Sequence, residues 1–201
     1  MIVAAFLSDR GDLYIDDCLA SFNEHVDLDL VAAHEIFDDQ SHHLGMAGNV
    51  KAAWSWARDV GADYLLHIEE DFRFTDTVPL EAMLTILDRT DLAQVVLKRQ
   101  PWSPAEIQAG GQIETNPDAY TQREGLLYDW VEHETLFSMN PSLIPRRTLE
   151  LEWRTDHPGG VERAITEACR AKGMRFAYYG HRADPPRCEH VGHIRSAGYR
   201  W

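Results

Sequence analysis

The sequence lacks any run approaching the ~18 apolar residues that a membrane-spanning helix requires. Its opening, MIVAAFLSDR, has no basic stretch ahead of the apolar segment and soon meets Asp9 and Arg10, which argues against a secretory signal. A cytoplasmic protein with no membrane partner is the expectation. Cysteine is scarce as well: Cys18, Cys169 and Cys188 are odd in number, widely spaced and contain no CxxC pair, so neither a disulfide framework nor a four-ligand structural zinc is expected. Positive charge is the third shortage. Nineteen Lys and Arg against 33 Asp and Glu give a net charge of −14, which disfavours a broad nucleic-acid-binding surface but leaves room for a local basic pocket. No internal repeat or low-complexity segment is present.

What the chain does contain is alternation. Residues 2 to 7, IVAAFL, form a continuous apolar run ended by the polar turn SDRGD and read as a buried strand. Ile15, Cys18, Leu19 and Phe22 then recur at helical spacing. LDLVAAHEIF is the next strand and DDQSHHLG the loop after it. Val50, Ala53, Trp54 and Ala57 mark a second helix that Gly61 is placed to end. YLLHIE is the third strand. A helix from near Pro79, carrying Leu80, Met83, Leu84 and Leu87, leads to the strand LAQVVLK. This order predicts an α/β fold with a mainly parallel central sheet flanked by helices on both faces.

The second half is less regular. Residues 100 to 125 hold three prolines and three glycines, and loops of this length are usually functional or mobile. LLYDWVEHETLFSMN reads as one bent strand or two short ones, PGGVERAITEACRAKG as a helix, and MRFAYY as a last strand. The tail RCEHVGHIRSAGYRW is aromatic, basic and rich in histidine.

Ligands of such sheets bind outside the carboxyl ends of the strands. There the sequence places Ser8-Asp9-Arg10, Asp38-Asp39 and the triplet Glu69-Glu70-Asp71. Adjacent carboxylates repel unless a cation or hydrogen-bond donors offset them, and hard divalent ions favour such oxygens. Strand alternation would put Glu69 and Asp71 on one side, able to share one ligand, and Glu70 on the other. Acids that simply mark a strand leaving the core are the plain alternative.

In this order of SDR, FDD, GMAGNVKAAWSWARDVGADYLLHIEEDFRF and a late histidine, the chain resembles the GT-A fold glycosyltransferases, of a small bacterial or bacteriophage type. The resemblance spans most of the chain. It implies a Rossmann-like GT-A domain over 1–201, with 1–99 as the nucleotide-sugar-binding half and 100–201 as the acceptor-side half and tail. It further implies a hexosyltransferase-type enzyme that moves a sugar from a UDP- or GDP-sugar, with Mn2+ or Mg2+ on the donor diphosphate. The acceptor is left open among a protein, a glycan, a small molecule and a modified nucleobase.

Matched residue by residue, the resemblance gives Ser8, Asp9, Arg10, Asp38 and Asp39 to the base and ribose, and places Asn49 and Lys51 beside the donor. Glu69, Glu70 and Asp71 form a DxD-type motif in which Asp71 takes the metal position and Glu69 replaces the usual first Asp. HVGHIRS resembles the family's H-x-G element, so His190 or His193 would complete the metal site and Arg195 and Ser196 would reach the phosphates. Glu162, at the start of its helix, matches the base of inverting members, although an acid in a first turn is also favoured by the helix dipole. Asp129, Glu132 and Glu134 compete for that role.

Further alternatives stand beside these. Cys188, His190 and His193 could ligate zinc, short of a fourth ligand. Trp102, Tyr120 and Trp130 could stack on a sugar, whereas Trp54 and Trp56 belong to packing. SMNPSLIPRRTLE resembles the family's strand-to-helix passage beside the acceptor, with Arg146 and Arg147 as surface charges. Two other functions remain. A sugar nucleotidyltransferase shares the layout but wants a Gly-rich basic loop that SDRGDLY does not supply, and a non-catalytic nucleotide- or sugar-binding module would show binding without turnover.

Overall fold

The computed structural model describes residues 1–100, 113 and 116–192. Strand β1 (Ile2–Ser8) is buried along its whole length, as a continuous apolar run requires. It pairs in parallel with β2 (Val31–Asp38) on one side and β3 (Tyr64–Glu69) on the other. Helix α1 (Asp12–His25) links β1 to β2, and the short α2 (Asp39–His42) and long α3 (Gly45–Asp59) link β2 to β3. Strand β4 (Phe72–Phe74) follows at once, then α4 (Leu80–Asp88), β5 (Leu92–Val96) and β6 (Arg99–Gln100). Among the described residues of the second half are β7 (Tyr120–Arg123), β8 (Trp130–His133), β9 (Ser142–Pro145), α5 (Arg146–Leu149), α6 (Gly160–Arg170), β10 (Arg175–Tyr179) and β11 (Cys188–His190).

Eight strands form the main sheet in the order β2-β1-β3-β9-β5-β10-β8-β7. The pairings leave β8 and β9 running against the other six, so the sheet is mixed around a mainly parallel core. Three short strands, β4-β11-β6, form a second sheet beside it. Alternation along β1 supplies both hydrophobic cores. Ala4 and Phe6 pack with Phe22, Leu66, Ile68 and Met83 under α1 and α4, while Val3, Ala5 and Leu7 pack with Trp54, Leu65, Ile165 and Phe176 under α3 and α6. Phe6 meets Phe22 edge-on with ring centres 5.0 Å apart, the geometry that aromatic quadrupoles favour.

The first half follows the sequence reading closely, and Gly61 takes the left-handed conformation (φ 77°) just beyond α3. The second half departs from it. LLYDWVEHETLFSMN gives one strand, β8, and then an irregular segment whose backbone is tied down from outside: Phe137 N–H donates to Thr166 Oγ1 and Ser138 N–H to Gln94 Oε1. Arg147 is no surface charge, because its guanidinium donates to the carbonyls of Leu87, Thr90 and Leu92. Tyr120 is buried in a third small core with Val96, Val131 and Tyr178 and is not presented to a sugar. The three cysteines are free and buried. No helix among the described residues is long and apolar enough to cross a membrane.

Candidate functional site

The turn after β1 and the turn after β3 meet at the carboxyl edge of the sheet, because β1 and β3 are paired in register up to Leu7 and Glu69. Glu70 N–H donates to Leu7 O (2.9 Å), which locks one turn over the other. The Glu70 carboxylate turns inward and accepts from the backbone N–H of Asp9 (2.7 Å) and Arg10 (3.3 Å), while Arg10 Nε pairs with it at 2.9 Å. Two backbone donors and one guanidinium therefore hold a carboxylate that water hardly reaches.

Arg10 is the hub of the cluster. Besides Glu70, it pairs with Asp9 Oδ1 at 3.2 Å through Nε and with Asp71 Oδ2 at 2.7 Å through its terminal nitrogen. Asp71, 4% exposed, receives a second partner from the far end of the sequence: His190 Nε2 lies 2.9 Å from the same Oδ2. Strand β11 makes this possible, since it pairs antiparallel with β4 and puts His190 opposite Phe72, and Val191 N–H then donates to Asp71 O (2.8 Å). Gly192 completes the enclosure. A Cβ at that position would stand 2.2 Å from Asp71 Oδ2 and 2.8 Å from an Arg10 nitrogen, so glycine lets the tail backbone lie against the carboxylate.

The electrostatics follow from this packing. Burial pushes Glu70 up to about 7, against the pull of a hydrogen bond from Ser8 and the charge of Arg10. Burial also works against ionisation of Asp71, but the hydrogen bond and charge of His190, followed by those of Arg10, outweigh it and hold Asp71 below the ordinary carboxylate range. Asp9 is raised, mainly by burial. Two carboxylate oxygens of the cluster, Asp9 Oδ2 and Asp71 Oδ1, are buried with no hydrogen-bond partner among the described residues. Such orphans are the kind of atom that a bound cation or water would satisfy.

Strand alternation misassigned the middle of the triplet. Strand β3 stops at Glu69, and Glu70 and Asp71 form a turn, so the period of two no longer applies to them. Glu70 and Asp71 gather around Arg10, and Glu69 lies close enough to feel the charges of both Asp71 and Glu162. Its carboxyl is raised well above the usual value by burial, then by the negative charges of Asp71 and Glu162. Glu162, in the first turn of α6, is half-buried; its Oε1 accepts from Met139 N–H at 3.0 Å. Burial raises its pKa, and the Met139 bond and the positive charge of Arg99 draw it back. Arg99 is a participant that sequence reasoning missed. It is buried, stacks on the Phe72 ring at 5.7 Å, and reaches this group from the two-residue strand β6, where no local pattern announces it.

Other residues singled out in the sequence stand apart from the cluster. Asp38 caps α2 by accepting from Gln40 N–H (3.0 Å) and Ser41 Oγ (3.1 Å), and Asp39 holds the start of α3 through the N–H groups of Leu44 (2.5 Å) and Gly45 (2.9 Å). Asn49 is buried and donates to Phe37 O, and Lys51 sits over the Trp153 ring at 5.0 Å. Glu134 is exposed beyond the end of β8, at the opposite edge of the sheet, and Glu132 is paired there with Arg123 and Arg175. Asp129 lends its backbone carbonyl to Gly180 N–H. Cys188 donates to Lys98 O (3.5 Å) from inside the first core, away from a ligand set with His190. Among the described residues no group of three or more His, Cys, Asp or Glu converges as a ready-made metal cage. His193, Arg195, Ser196 and Trp102 lie outside the described residues.

Neither a family model nor a curated protein sequence matches the chain. Solved structures do. A197 from STIV superposes with a TM-score of 0.58 at 12% identity, over 98% of this chain and 100% of that one. Residues 1–349 of S. aureus TarS superpose at 0.55 and 10% identity, over 94% of this chain and 60% of that one. TarS 1–349 in complex with UDP gives 0.54 at 10% identity, covering 94% and 59%. The fold is GT-A-like. At these identities the likeness speaks for the GT-A-like scaffold, and the chemistry has to be argued from the side chains.

Proposed function

We propose that this protein is a nucleotide-sugar-dependent glycosyltransferase, and that the turns after β1 and β3 bind the donor. The observation that carries the reading is the cluster of Asp9, Arg10, Glu70, Asp71 and His190 at the carboxyl edge of a GT-A-like sheet. TarS 1–349, which superposes on this scaffold, has been solved in complex with UDP. Ser8 to Arg10, with Asp38 and Asp39 behind them, would take the base and ribose. Asn49, buried against Phe37 O, and Lys51, on Trp153, act by fixing α3 and the end of β2 rather than by touching the donor.

The residues fit a divalent ion that arrives with its substrate. Mg2+ and Mn2+ sites of this kind use one or two protein carboxylates and complete their shell with diphosphate oxygens and water. Asp71 offers the orphaned Oδ1, and His190 already touches the same carboxylate. His193, Arg195 and Ser196 follow directly and would meet the phosphates. When bound, the ion would neutralise charge on the departing diphosphate.

In this reading Glu162 is the base. Burial raises its pKa and so brings a carboxylate toward the range where proton uptake is effective. The acceptor hydroxyl oxygen would form the new bond to the anomeric carbon while its proton passes to Glu162. The bond from that carbon to the diphosphate breaks, and its electron pair leaves with the nucleoside diphosphate. Glu134 is too far along the fold to share this task.

The test is a panel of UDP- and GDP-sugars with Mn2+, followed by thermal stabilisation and by release of free nucleoside diphosphate. One donor should stabilise the protein and be slowly hydrolysed. No stabilisation by any donor would sink the transferase reading, stabilisation without hydrolysis would favour a binding module, and pyrophosphate release from a sugar phosphate and a nucleoside triphosphate would reveal a nucleotidyltransferase.

A further inference from the structure

A second concentration of charge lies at the other end of the molecule. Strand β8 runs against β10, so its end at His133 pairs with Phe176, near the start of β10 and far from the carboxyl edge where Asp71 sits. A cavity of about 380 Å³ opens there between β7, β8, the start of β10 and the end of α6.

Its wall is built around Glu132, 7% exposed, whose Oε1 receives Arg175 at 2.6 Å and Arg123 at 2.9 Å. One guanidinium is enough to neutralise a buried carboxylate, and here two converge on one oxygen. Each gives Glu132 a single N–H, both side chains are 45% exposed, and both line the cavity, which leaves N–H groups of each planar fork for a ligand. Arg170 adds a third cation. It is anchored by donating from Nε to Glu134 O (3.0 Å) and from Nη2 to Thr135 O (3.2 Å), which fixes the end of β8. Three arginines against Glu132 and Glu134 leave a positive surplus, in a chain whose net charge is −14.

The floor is polar and pre-set. His133, 4% exposed, is wedged between the rings of Tyr120 and Tyr178, with centre distances of 4.8 and 5.2 Å. Its Nδ1 lies 2.8 Å from Thr135 Oγ1, and its Nε2 has no hydrogen-bond partner among the described residues. Burial keeps this imidazole neutral, so it does not compete with the arginines for a proton or a charge. Thr121 stands across from Glu132 in the β7–β8 register and adds a hydroxyl to the wall. Guanidinium forks beside hydroxyls and a neutral ring suit an oxyanion attached to a polyol.

We infer that this cavity is a second ligand site, which takes a small organic oxyanion of sugar-phosphate size on Arg123 and Arg175, with Thr121 and Thr135 toward its hydroxyls. It does not depend on the donor reading, because it shares no residue with the acid cluster.

The test uses the whole chain and three probes, inorganic phosphate, glucose 1-phosphate and glucuronate, all read by calorimetry and the two phosphates also by phosphorus NMR line width. Glucose 1-phosphate should bind saturably at millimolar concentration or below, and Arg123→Gln or Arg175→Gln should weaken it about tenfold or more. Arg123→Lys should weaken it too, because the charge stays but the fork is lost. UDP with Mn2+ should bind these variants as it binds the parent, so failure of either site is visible separately. Tighter binding of glucose 1-phosphate than of glucuronate assigns the anion as a phosphoryl group, and the reverse assigns a carboxylate. Absence of saturable binding by all three probes, or unchanged affinity in the Arg123→Gln/Arg175→Gln double variant, would overturn the inference.

Discussion

Removing Arg10 is the perturbation with the most to say about the acid cluster. Arg10 pairs with Asp9, Glu70 and Asp71 at 3.2, 2.9 and 2.7 Å, and those carboxylates are only 5%, 1% and 5% exposed. Arg10→Ala leaves all three without their shared cation. Taking one partner from a buried ion pair typically costs about 3–5 kcal/mol. For a chain of this size that corresponds to a drop in Tm on the order of 10 °C.

The pH dependence has a definite sign. Glu70 is raised toward 7, so its contribution to stability is complete below its unfolded value and is lost as pH rises through 7. Without the guanidinium, Glu70 and Asp9 rise further. The cost of Arg10→Ala should therefore be larger at pH 8 than at pH 5, where protonation relieves the crowding. Urea unfolding of parent and variant at both pH values measures this. A cost below about 1 kcal/mol, or an equal cost at the two pH values, would refute the view that Arg10 neutralises a buried acid cluster. Addition of Mn2+ offers a further check, since a divalent ion at the cluster should restore part of the variant's stability.

Three further outcomes are expected. Gly192→Ala should push the tail off Asp71, because its Cβ would fall 2.2 Å from Oδ2; a loss of about 1–3 kcal/mol and of UDP binding by calorimetry would show it. Glu162→Gln keeps an oxygen for Met139 N–H, so the fold and donor affinity should survive while kcat falls by about 10²–10⁴ in a transfer assay. Lys98→Met should lower stability by about 1.5–3 kcal/mol in thermal unfolding, since its Nζ donates to the carbonyls of His181, Arg182 and Asp184 and holds that loop closed.

How far the sequence disclosed this arrangement depends on the range of the forces involved. The strands and helices of the first half were legible because IVAAFL, YLLHIE and the Val50–Ala57 stripe carry their periods locally. The grouping of SDR and EED followed from the general rule for the carboxyl edges of α/β sheets. Three features were hidden. The inward turn of Glu70 depends on a hydrogen bond to Leu7 and on the backbone of the β1 turn, so no spacing within the triplet encodes it. Arg99 enters from a two-residue strand that exists only because β11 pairs with it. The arginines of β7 and β10 look like scattered surface charges until the antiparallel pairing of β8 brings them to Glu132.

The second sheet sets an order of events. Strand β11 joins β4 across more than a hundred residues: His190 and Asp71 are 119 positions apart, and the Arg73–Glu189 pair spans 116. Contacts so distant in the chain are the last to repay their loop-closure entropy. During synthesis, β1, β3 and the Arg10 cluster can be in place while the ribosome is still making α6, with Asp71 held by Arg10 alone. A chain halted before residue 188 would therefore own most of the GT-A-like scaffold and lack the histidine side of the proposed donor site. Ribosome-stalled chains of increasing length, probed with UDP and Mn2+, should gain donor binding in one late step, after the main sheet has become protease-resistant.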